Sequence, residues 1–269
     1  MTGLAELQRA FRERLDFTAV DKAYLHRAIR EETLGVIRGR DRIREAAMAE
    51  AAEEGPGAIR ILSDLGDVLA LETAGGWRAH IWAMHEGGRI LREVFVIDRA
   101  ARARSLGQDA EEEARRLGAM APVHAPLGEL RAGRGQLPAP NEPILSPDFP
   151  AEALEGARYL HHLWNRRDLS RLPTEWTGPA DAGEARRLLL DLFKRLPDAE
   201  LMIERGVARE DEVGILWRLH GHQTDGTRIR ILGSSLLELQ NGQVVAEAML
   251  IDTLALAAAP HRPVIDYSR

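Results

Sequence analysis

A segment of the chain occurs twice at a fixed separation. Residues 88–98 read GRILREVFVID and residues 242–252 read GQVVAEAMLID, so that equivalent positions are 154 residues apart. The offset aligns Glu93 with Glu247 and Asp98 with Asp252, and most other pairs exchange one apolar residue for another. Each copy has the pattern of a glycine turn followed by a long apolar strand that ends in a carboxylate. Two copies are too few for a solenoid, so the repeat predicts two related domains.

The length and the distribution of proline predict where these domains divide. The chain has 269 residues, which fits two domains of about 120–130 residues each. Seven of its 13 prolines lie between Pro122 and Pro150, a density that interrupts helices and central strands. We therefore predict a first domain over residues 1–107, a helix plus a Pro/Gly-rich linker over 108–150, and a second domain over 151–269.

Composition and missing motifs narrow the classes of function. The net charge is −6 and no apolar run reaches the roughly 20 residues that span a bilayer, so we predict a cytoplasmic protein that binds neither nucleic acid nor membrane. The absence of cysteine excludes disulfides, thiolate nucleophiles and cysteine-ligated metals. The sequence has no GxxxxGK[ST] loop, no GxSxG elbow and no dinucleotide fingerprint. Phosphoryl transfer, serine hydrolysis and nicotinamide chemistry are disfavoured, and no cofactor is predicted.

The order of the predicted elements indicates an α+β fold. In the second copy, helical periodicity over 151–166 and 185–196 comes first, with Asp181 as a plausible N-cap. Alternating strands then follow over 200–207, 212–223, 227–239 and 244–252, with turns at Asp225-Gly226 and Asn241-Gly242. The first copy repeats this order in compressed form, with a helix over 41–52 and strands over 58–62, 67–72, 77–85 and 89–98. Helices followed by an antiparallel meander are typical of α+β domains.

Several short motifs occur in an order that resembles the SnoaL-like polyketide cyclases of the nuclear transport factor 2-like superfamily. The motifs are WNRRDL, VGILWRLHGHQTDG and NGQVVAEAMLIDTLAL, and the resemblance covers residues 151–259. The first copy resembles a more diverged member, mainly through GRDRIREA and its last strand. The resemblance implies curved antiparallel sheets, each wrapped as a cone around N-terminal helices. Family members often pair sheet to sheet, so the tandem copies could form an internal pseudo-dimer, and a further homodimer stays open.

The resemblance implies a general acid/base at the end of the last strand. Asp252 occupies that position and Asp98 is its counterpart in the first copy. Asp also caps helices, and helix-like sequence follows both residues, so both interpretations stay open for Asp252. For Asp98 the cap is favoured, because nearby arginines could neutralise its charge. The chain departs from the family pattern in lacking a Thr before His222 and a Trp after Glu247.

Aromatic and histidine residues provide candidate ligand contacts. Trp164 and Trp176 flank an irregular segment predicted to form the pocket rim, whereas Trp217 is either core packing or a ligand platform. His222 matches a Gly-Thr-His segment of the family and could therefore line the site; the alternative is a solvent-exposed strand face, since Arg218 lies on the same side. His220 shares its strand face, but no third ligand is evident and no metal is predicted. For Glu93 and Glu247, a cross-strand pair with an arginine is the simplest explanation.

Together these observations predict a protein that binds a small apolar or polycyclic molecule. If the protein is an enzyme, Asp252 would act on an activated C–H next to a carbonyl, in an aldol cyclisation, an isomerisation or a hydration. The alternative is a non-enzymatic ligand-binding or protein-interaction module, in which the first domain acts as the internal dimer partner.

Overall fold

The computed structural model describes residues 3–33, 35–63, 65–120, 123–124, 142–173, 175–177, 182–224, 226–258 and 264–265. Residues 121–122 and 125–141 of the predicted linker region, together with Asp181 and Asp225, lie outside the described residues. No helix within these ranges is both long enough and apolar enough to cross a bilayer.

The first half of the chain forms a six-stranded sheet with helices on one face. Its strand order is β2-β1-β6-β5-β4-β3, and every neighbouring pair is antiparallel except β1 with β6. The elements are α1 (Leu4–Arg12), α2 (Thr18–Ala23), β1 (Tyr24–Glu32), β2 (Gly35–Arg38), α3 (Arg40–Glu54), β3 (Gly57–Ile61), β4 (Val68–Thr73), β5 (Arg78–Glu86), β6 (Arg89–Ile97), α4 (Arg99–Ser105) and α5 (Ala110–Met120).

The second half forms a five-stranded sheet of the same design. Its strand order is β8-β12-β11-β10-β9, and every neighbouring pair is antiparallel except the edge strand β8 with β12. The elements are α6 (Leu154–Trp164), β8 (Glu175–Thr177), α7 (Ala182–Arg195), β9 (Glu200–Arg209), β10 (Glu212–His222), β11 (Arg228–Gln240), β12 (Gln243–Ile251) and α8 (Thr253–Ala258). A separate two-stranded ladder pairs β7 (Val123–His124) with β13 (Val264–Ile265).

The predicted α+β class is confirmed, with two separate sheets that each carry helices. The predicted meander strands are all present, because their alternation and glycine turns are local signals. The sequence did not predict β1, β2 and β8. Strand β1 reads YLHRAIREE, whose many charged residues hide the period-two pattern. The sheets are not purely antiparallel as predicted. In each copy one strand, β1 or β8, pairs in parallel with the last strand, β6 or β12.

Each sheet has an inner face that packs against its own helices. We call β1–β6 with α1–α3 the first cone, and β8–β12 with α6 and α7 the second cone. In the second cone, alternate residues of three strands point inward and pack against both helices, and they are joined there by Leu160, Leu163 and Leu189. These inward residues include Ile215, Trp217, Leu237, Met249 and Ile251.

The outer faces of the two sheets pack against each other. Their shared core combines Trp82, Val94 and Val96 of the first sheet with Leu216, Leu232 and Leu250 of the second. His80 Nδ1 lies 3.0 Å from Ser234 Oγ, and Trp82 Nε1 donates to the same oxygen at 3.0 Å. Burial lowers the pKa of His80 to about 3, so its ring is neutral here. Residues 80 and 234 are separated by the repeat offset of 154, so equivalent positions of the two copies meet.

Candidate functional site

A buried carboxyl group, Glu247, lies on the inner face of the second cone. The residue is 2% exposed and stands on β12 between apolar neighbours. Tyr159 Oη donates a hydrogen bond to Glu247 Oε2 at 2.5 Å, and Ser235 Oγ donates to Oε1 at 2.7 Å. Trp217 Nε1 in turn donates to Ser235 Oγ at 3.1 Å. Residues from α6, β10 and β11 therefore hold the carboxyl group in one orientation.

Burial sets the charge state of Glu247, because no cation among the described residues lies beside its carboxyl group. Within the described residues, Glu247 has no ion-pair partner. Burial raises its pKa to about 7, while the hydrogen bonds from Tyr159 and Ser235 oppose the rise. A carboxyl group with that pKa exchanges a proton readily near neutral pH, which is the property that general acid/base catalysis requires.

Two indole groups belong to the same cluster and have unused donors. Trp164 is 3% exposed and Trp176 is 7% exposed, and neither Nε1 atom has a hydrogen-bond partner in the described part of the chain. The Trp164 ring lies 5.4 Å from the Trp217 ring, and Trp176 is the register partner of Glu247 across the β12–β8 pair. The second cone thus combines one carboxyl group with two buried N–H donors.

The equivalent carboxyl group of the first cone has different neighbours. Glu93 is fully buried and accepts hydrogen bonds from Tyr24 Oη and, at 3.0 Å, from Arg12 Nη2. Arg30 is its cross-strand partner, with Nε 3.9 Å from Oε1. Both guanidinium groups also lie over the Phe95 ring. The predicted cross-strand arginine is therefore present for Glu93, whereas it is wrong for Glu247, which bonds to hydroxyl groups instead.

Asp252 and Asp98 lie together at the junction of the two halves. Asp252 is fully buried, bonds to the Arg99 guanidinium of the first half and accepts the Ala255 N–H at 3.3 Å. Asp98 caps α4 through the N–H groups of Ala100 and Ala101, at 3.0 and 3.2 Å. Burial raises the pKa of Asp252, and the Arg99 charge opposes the rise. Both carboxylates thus have capping contacts at the start of the helix that follows them.

The contacts at this junction are reciprocal. Arg99 of the first half bonds to Asp252, and Thr253 Oγ1 of the second half donates to Asp98 at 3.0 Å. The repeat offset makes Asp98 equivalent to Asp252 and Arg99 equivalent to Thr253. A pair of contacts that exchanges equivalent residues in this way is typical of an isologous interface.

The two candidate acids, Glu247 on β12 and Asp252 just after it, have different surroundings because the two faces of this strand pack against different parts of the protein. Side chains alternate between faces, so Glu247, Met249 and Ile251 point towards α6 while Leu250 points towards the first half. Asp252, which follows the strand, contacts the first half through Arg99. Glu247 was not among the site residues predicted from the sequence. The available signal was the recurrence of a glutamate in the middle of both apolar strands.

The remaining predicted residues occupy different environments. Trp217 is fully buried in the second core. The His222 side chain is 54% exposed, and its Nδ1 lies 2.8 Å from Asp198 Oδ2. Among the described residues, no group of three His, Asp or Glu side chains is arranged to hold a metal ion.

Several cavities lie around the described residues. One of about 370 Å³ lies at the junction and is lined by Glu32, Arg99, Arg102 and Leu254 among others. A second, of about 450 Å³, lies between the halves beside Asp67 and Arg205. A third, of only about 40 Å³, opens into the first cone between Arg12 and Trp77. Charged pairs line the first two, whereas the third is mainly apolar.

Comparisons with known proteins agree on one group of structures. The sequence matches no protein-family model and no curated protein. Many similar solved structures are assigned as SnoaL-like polyketide cyclases. One, from Jannaschia sp. CCS1, has 18% identity and a TM-score of 0.35, and covers 44% of this chain and 99% of its own. An assigned polyketide cyclase from Bacillus cereus has 17% identity and a TM-score of 0.34, covering 48% and 96%. AclR of Streptomyces galilaeus, assigned as a hydroxylase, has 20% identity and a TM-score of 0.37, covering 44% and 91%.

Proposed function

We propose that the second cone binds a small apolar or polycyclic molecule, and that the first cone serves as its built-in sheet-to-sheet partner. The observation that carries this proposal is the inner face of the second cone, where Trp164, Trp176 and Trp217 belong to one buried cluster and the Glu247 carboxyl group has no cation partner among the described residues. Ligand sites of small molecules are mostly apolar and aromatic, with few and well-placed polar groups.

The proposed chemistry is general acid/base catalysis at a C–H bond next to a carbonyl group. Such a step needs a group that takes a proton from carbon and returns it elsewhere, as in an aldol cyclisation, an isomerisation or a hydration. The family resemblance favours Asp252 for this role. The surroundings of Glu247 favour that residue as a second candidate, because burial raises its pKa to about 7 and no cation among the described residues stabilises its ionised form.

The internal pseudo-dimer is supported by two sets of contacts. The first is the shared apolar core between the outer sheet faces. The second is the reciprocal exchange at the junction, where Arg99 meets Asp252 and Thr253 meets Asp98. Equivalent surfaces of the two copies thus form, within one chain, the kind of interface that an isologous dimer forms between two chains.

Proton exchange tests the catalytic proposal without knowledge of the natural substrate. We expect the protein to accelerate deuterium incorporation from D₂O at C1 of 2-tetralone, a bicyclic ketone with activated C–H bonds, as followed by proton NMR. If Glu247 is the base, Glu247→Gln lowers this rate at least tenfold and Asp252→Asn keeps it. If Asp252 is the base, the two variants exchange these results.

The alternative is a ligand-binding or protein-interaction module without catalysis. It is favoured by the close packing of the second core, where Trp164 lies against both Trp217 and Phe193 with ring centroids 5.4 and 5.8 Å apart. Saturable quenching of tryptophan fluorescence by 2-tetralone, without faster deuterium exchange, would support this alternative. Absence of both signals would contradict ligand binding in the second cone.

A further inference from the structure

The proposed pseudo-dimer leaves open what prevents equivalent halves of different chains from pairing, and the following step rests on that part of the proposed function. We infer that the outer sheet faces select unlike halves, so that a first half pairs with a second half and neither half pairs with its like. Three determinants carry this selectivity: a tryptophan that packs over a glycine, a hydrogen-bonded group where equivalent positions meet, and an ion pair at one end of the interface.

The repeat identifies the residues that would exchange places in a like pair. On β5 and β11 the offset of 154 makes Trp82 equivalent to Leu236. Val68 on β4 lies opposite Trp82, and Gly214 on β10 lies opposite Leu236, so Val68 and Gly214 are equivalent as well. The first half therefore brings a tryptophan and a valine to the interface at the positions where the second half brings a leucine and a glycine.

The first determinant is the fit of Trp82 over Gly214. A Cβ atom at position 214 would lie 3.3 Å from Trp82 Cη2, so a side chain there would press on the indole ring. The unlike pair thus combines the largest side chain with the smallest. In a pair of first halves, Trp82 would meet Val68 in place of Gly214, and the contact would be overpacked. In a pair of second halves, Leu236 would meet Gly214 and leave a void. Both defects destabilise a packed core.

The second determinant is the hydrogen-bonded group of His80, Ser234 and Trp82. His80 and Ser234 are equivalent in the repeat, and His80 Nδ1 lies 3.0 Å from Ser234 Oγ. The same hydroxyl accepts from Trp82 Nε1 at 3.0 Å. In a pair of first halves two imidazole rings would meet, and Trp82 would lose this acceptor, which costs stability when the donor is buried. A pair of second halves would bring two hydroxyl groups together without either ring.

The third determinant is charge at one end of the interface. The buried Arg218 of the second sheet donates to Glu31 of the first at 2.9 Å. Arg218 lies opposite Leu232, and Glu72 lies opposite Arg78. Because Leu232 and Arg78 are equivalent in the repeat, Glu72 takes the place of Arg218 in the first half. A pair of first halves would therefore bring two carboxylates together where the unlike pair has an ion pair, and such like-charge contacts suppress wrong partners.

Re-pairing of the halves after cleavage of the full chain tests this inference. A protease site inserted after Gly133, in the Pro/Gly-rich segment, allows the folded protein to be cut, and the product is then unfolded in urea and refolded by dilution. The two fragments differ in mass, so native mass spectrometry distinguishes the unlike pair from both like pairs. Random pairing would give as many like pairs as unlike ones. We expect unlike pairs to exceed like pairs by about tenfold or more, which one overpacked contact alone can produce.

A double-mutant cycle on the intact chain tests the first determinant separately. Gly214→Val should lower Tm, but Val207 of the same sheet also lies 3.0 Å from the new Cβ position, so this loss alone does not identify the contact with Trp82. Trp82→Leu makes room above position 214. The Tm of the double variant should therefore fall by less than the sum of the two single losses. Trp77→Leu, in a different core cluster, is the matched control and should be additive with Gly214→Val.

The same double variant should also relax the selectivity. With Trp82→Leu and Gly214→Val, both halves bring a leucine and a valine to this contact, so its shape no longer distinguishes them. After cleavage and refolding, the ratio of like to unlike pairs should rise by about threefold or more over that of the wild type.

The outcomes distinguish this inference from the proposed function. Equal amounts of like and unlike pairs from the wild-type chain would overturn the inference while the sheet-to-sheet surface itself stands. Additive losses in Tm for Trp82→Leu and Gly214→Val would overturn it as well, and this cycle decides if the cleaved chain does not refold. If the cut protein separates into single halves before urea is added, the pseudo-dimer of the proposed function fails, and this inference fails with it.

Discussion

At the scale of single residues, the two equivalent glutamates show how neighbours decide chemistry. Glu93 and Glu247 occupy the same position in the repeat, and a tyrosine hydroxyl donates to each. The difference lies in Arg12 and Arg30, which pair with Glu93 and have no counterpart beside Glu247 in the described residues. One glutamate is therefore part of an ion-pair network, whereas the other is a buried acid.

The buried carboxyl group of Glu247 should make the free energy of unfolding depend on pH. The pKa of Glu247 is raised from 4.5 to about 7 in the folded protein, so folding favours its protonated form. The corresponding stability is fully present below pH 4.5 and is lost as the pH rises through 7. The loss is on the order of 3 kcal/mol in the free energy of unfolding. Urea unfolding at pH 5 and pH 8 measures it.

Two variants isolate this contribution from other titrating groups. Glu247→Gln should remove most of the difference between pH 5 and pH 8, because its amide does not titrate. The exposed Glu111→Gln serves as a control for loss of one acidic group and should behave like the wild type. A pH dependence that is the same in Glu247→Gln and in the wild type would contradict a raised pKa at this position.

At the scale of elements, the inner face of the second sheet depends on one glycine of β11. Gly233 lies opposite Trp217 in the β10–β11 register, and a Cβ atom at this position would overlap the indole ring. The missing side chain therefore leaves room for the ring that packs against Trp164. The bond from Trp217 to Ser235, and through it the orientation of Glu247, depends on that position of the ring.

Gly233→Ala should consequently displace Trp217. Overpacking of a core typically costs about 1–3 kcal/mol in the free energy of unfolding. Thermal unfolding should show a lowered Tm, and the fluorescence spectrum should change. Gly35→Ala is the matched control, since Gly35 also lies in a strand but has open space where its Cβ would be. Equal effects of the two substitutions would contradict this account.

At the scale of the whole molecule, a chain of ion pairs connects the first cone to the end of the second sheet. Arg99 bonds to Asp252 of the second half and to Glu32 of the first. Glu32 also pairs with Arg30 at 2.9 Å, and Arg30 lies beside Glu93. These groups are mostly buried, so each charge depends on its neighbours for compensation.

Arg99→Met should therefore weaken the junction strongly. It leaves Asp252 and Glu32 without their shared cation, and the removal of one partner from a buried ion pair costs about 3–5 kcal/mol. Arg104→Met, which changes an exposed arginine five residues further on, should have an effect within about 0.5 kcal/mol. Urea unfolding of both variants measures the loss in the free energy of unfolding. Similar losses for the two variants would contradict the proposed contribution of Arg99 to the junction.

Much of the fold could be predicted from the sequence because its signals are local. Alternation, glycine turns and helical periodicity identified the meander strands and most helices of both copies, and the repeat identified their relationship. Strand β1 was missed because most of its residues are polar or charged, although Arg30 is 1% exposed. Its partners, Glu50 on α3 and Glu93 on β6, are distant in sequence and no local pattern reveals them.

The sequence by itself determined that the chain contains two copies of one α+β design, each ending in an apolar strand with a glutamate and an aspartate. Only the tertiary structure decided which face of β12 points into the cone. In a single sheet with one solvated face, polarity marks the inner side. Here the outer face is covered by the other sheet, so Leu250 is as apolar as Met249 and Ile251. Both faces are buried, and the pattern of polar residues therefore carries no information about direction.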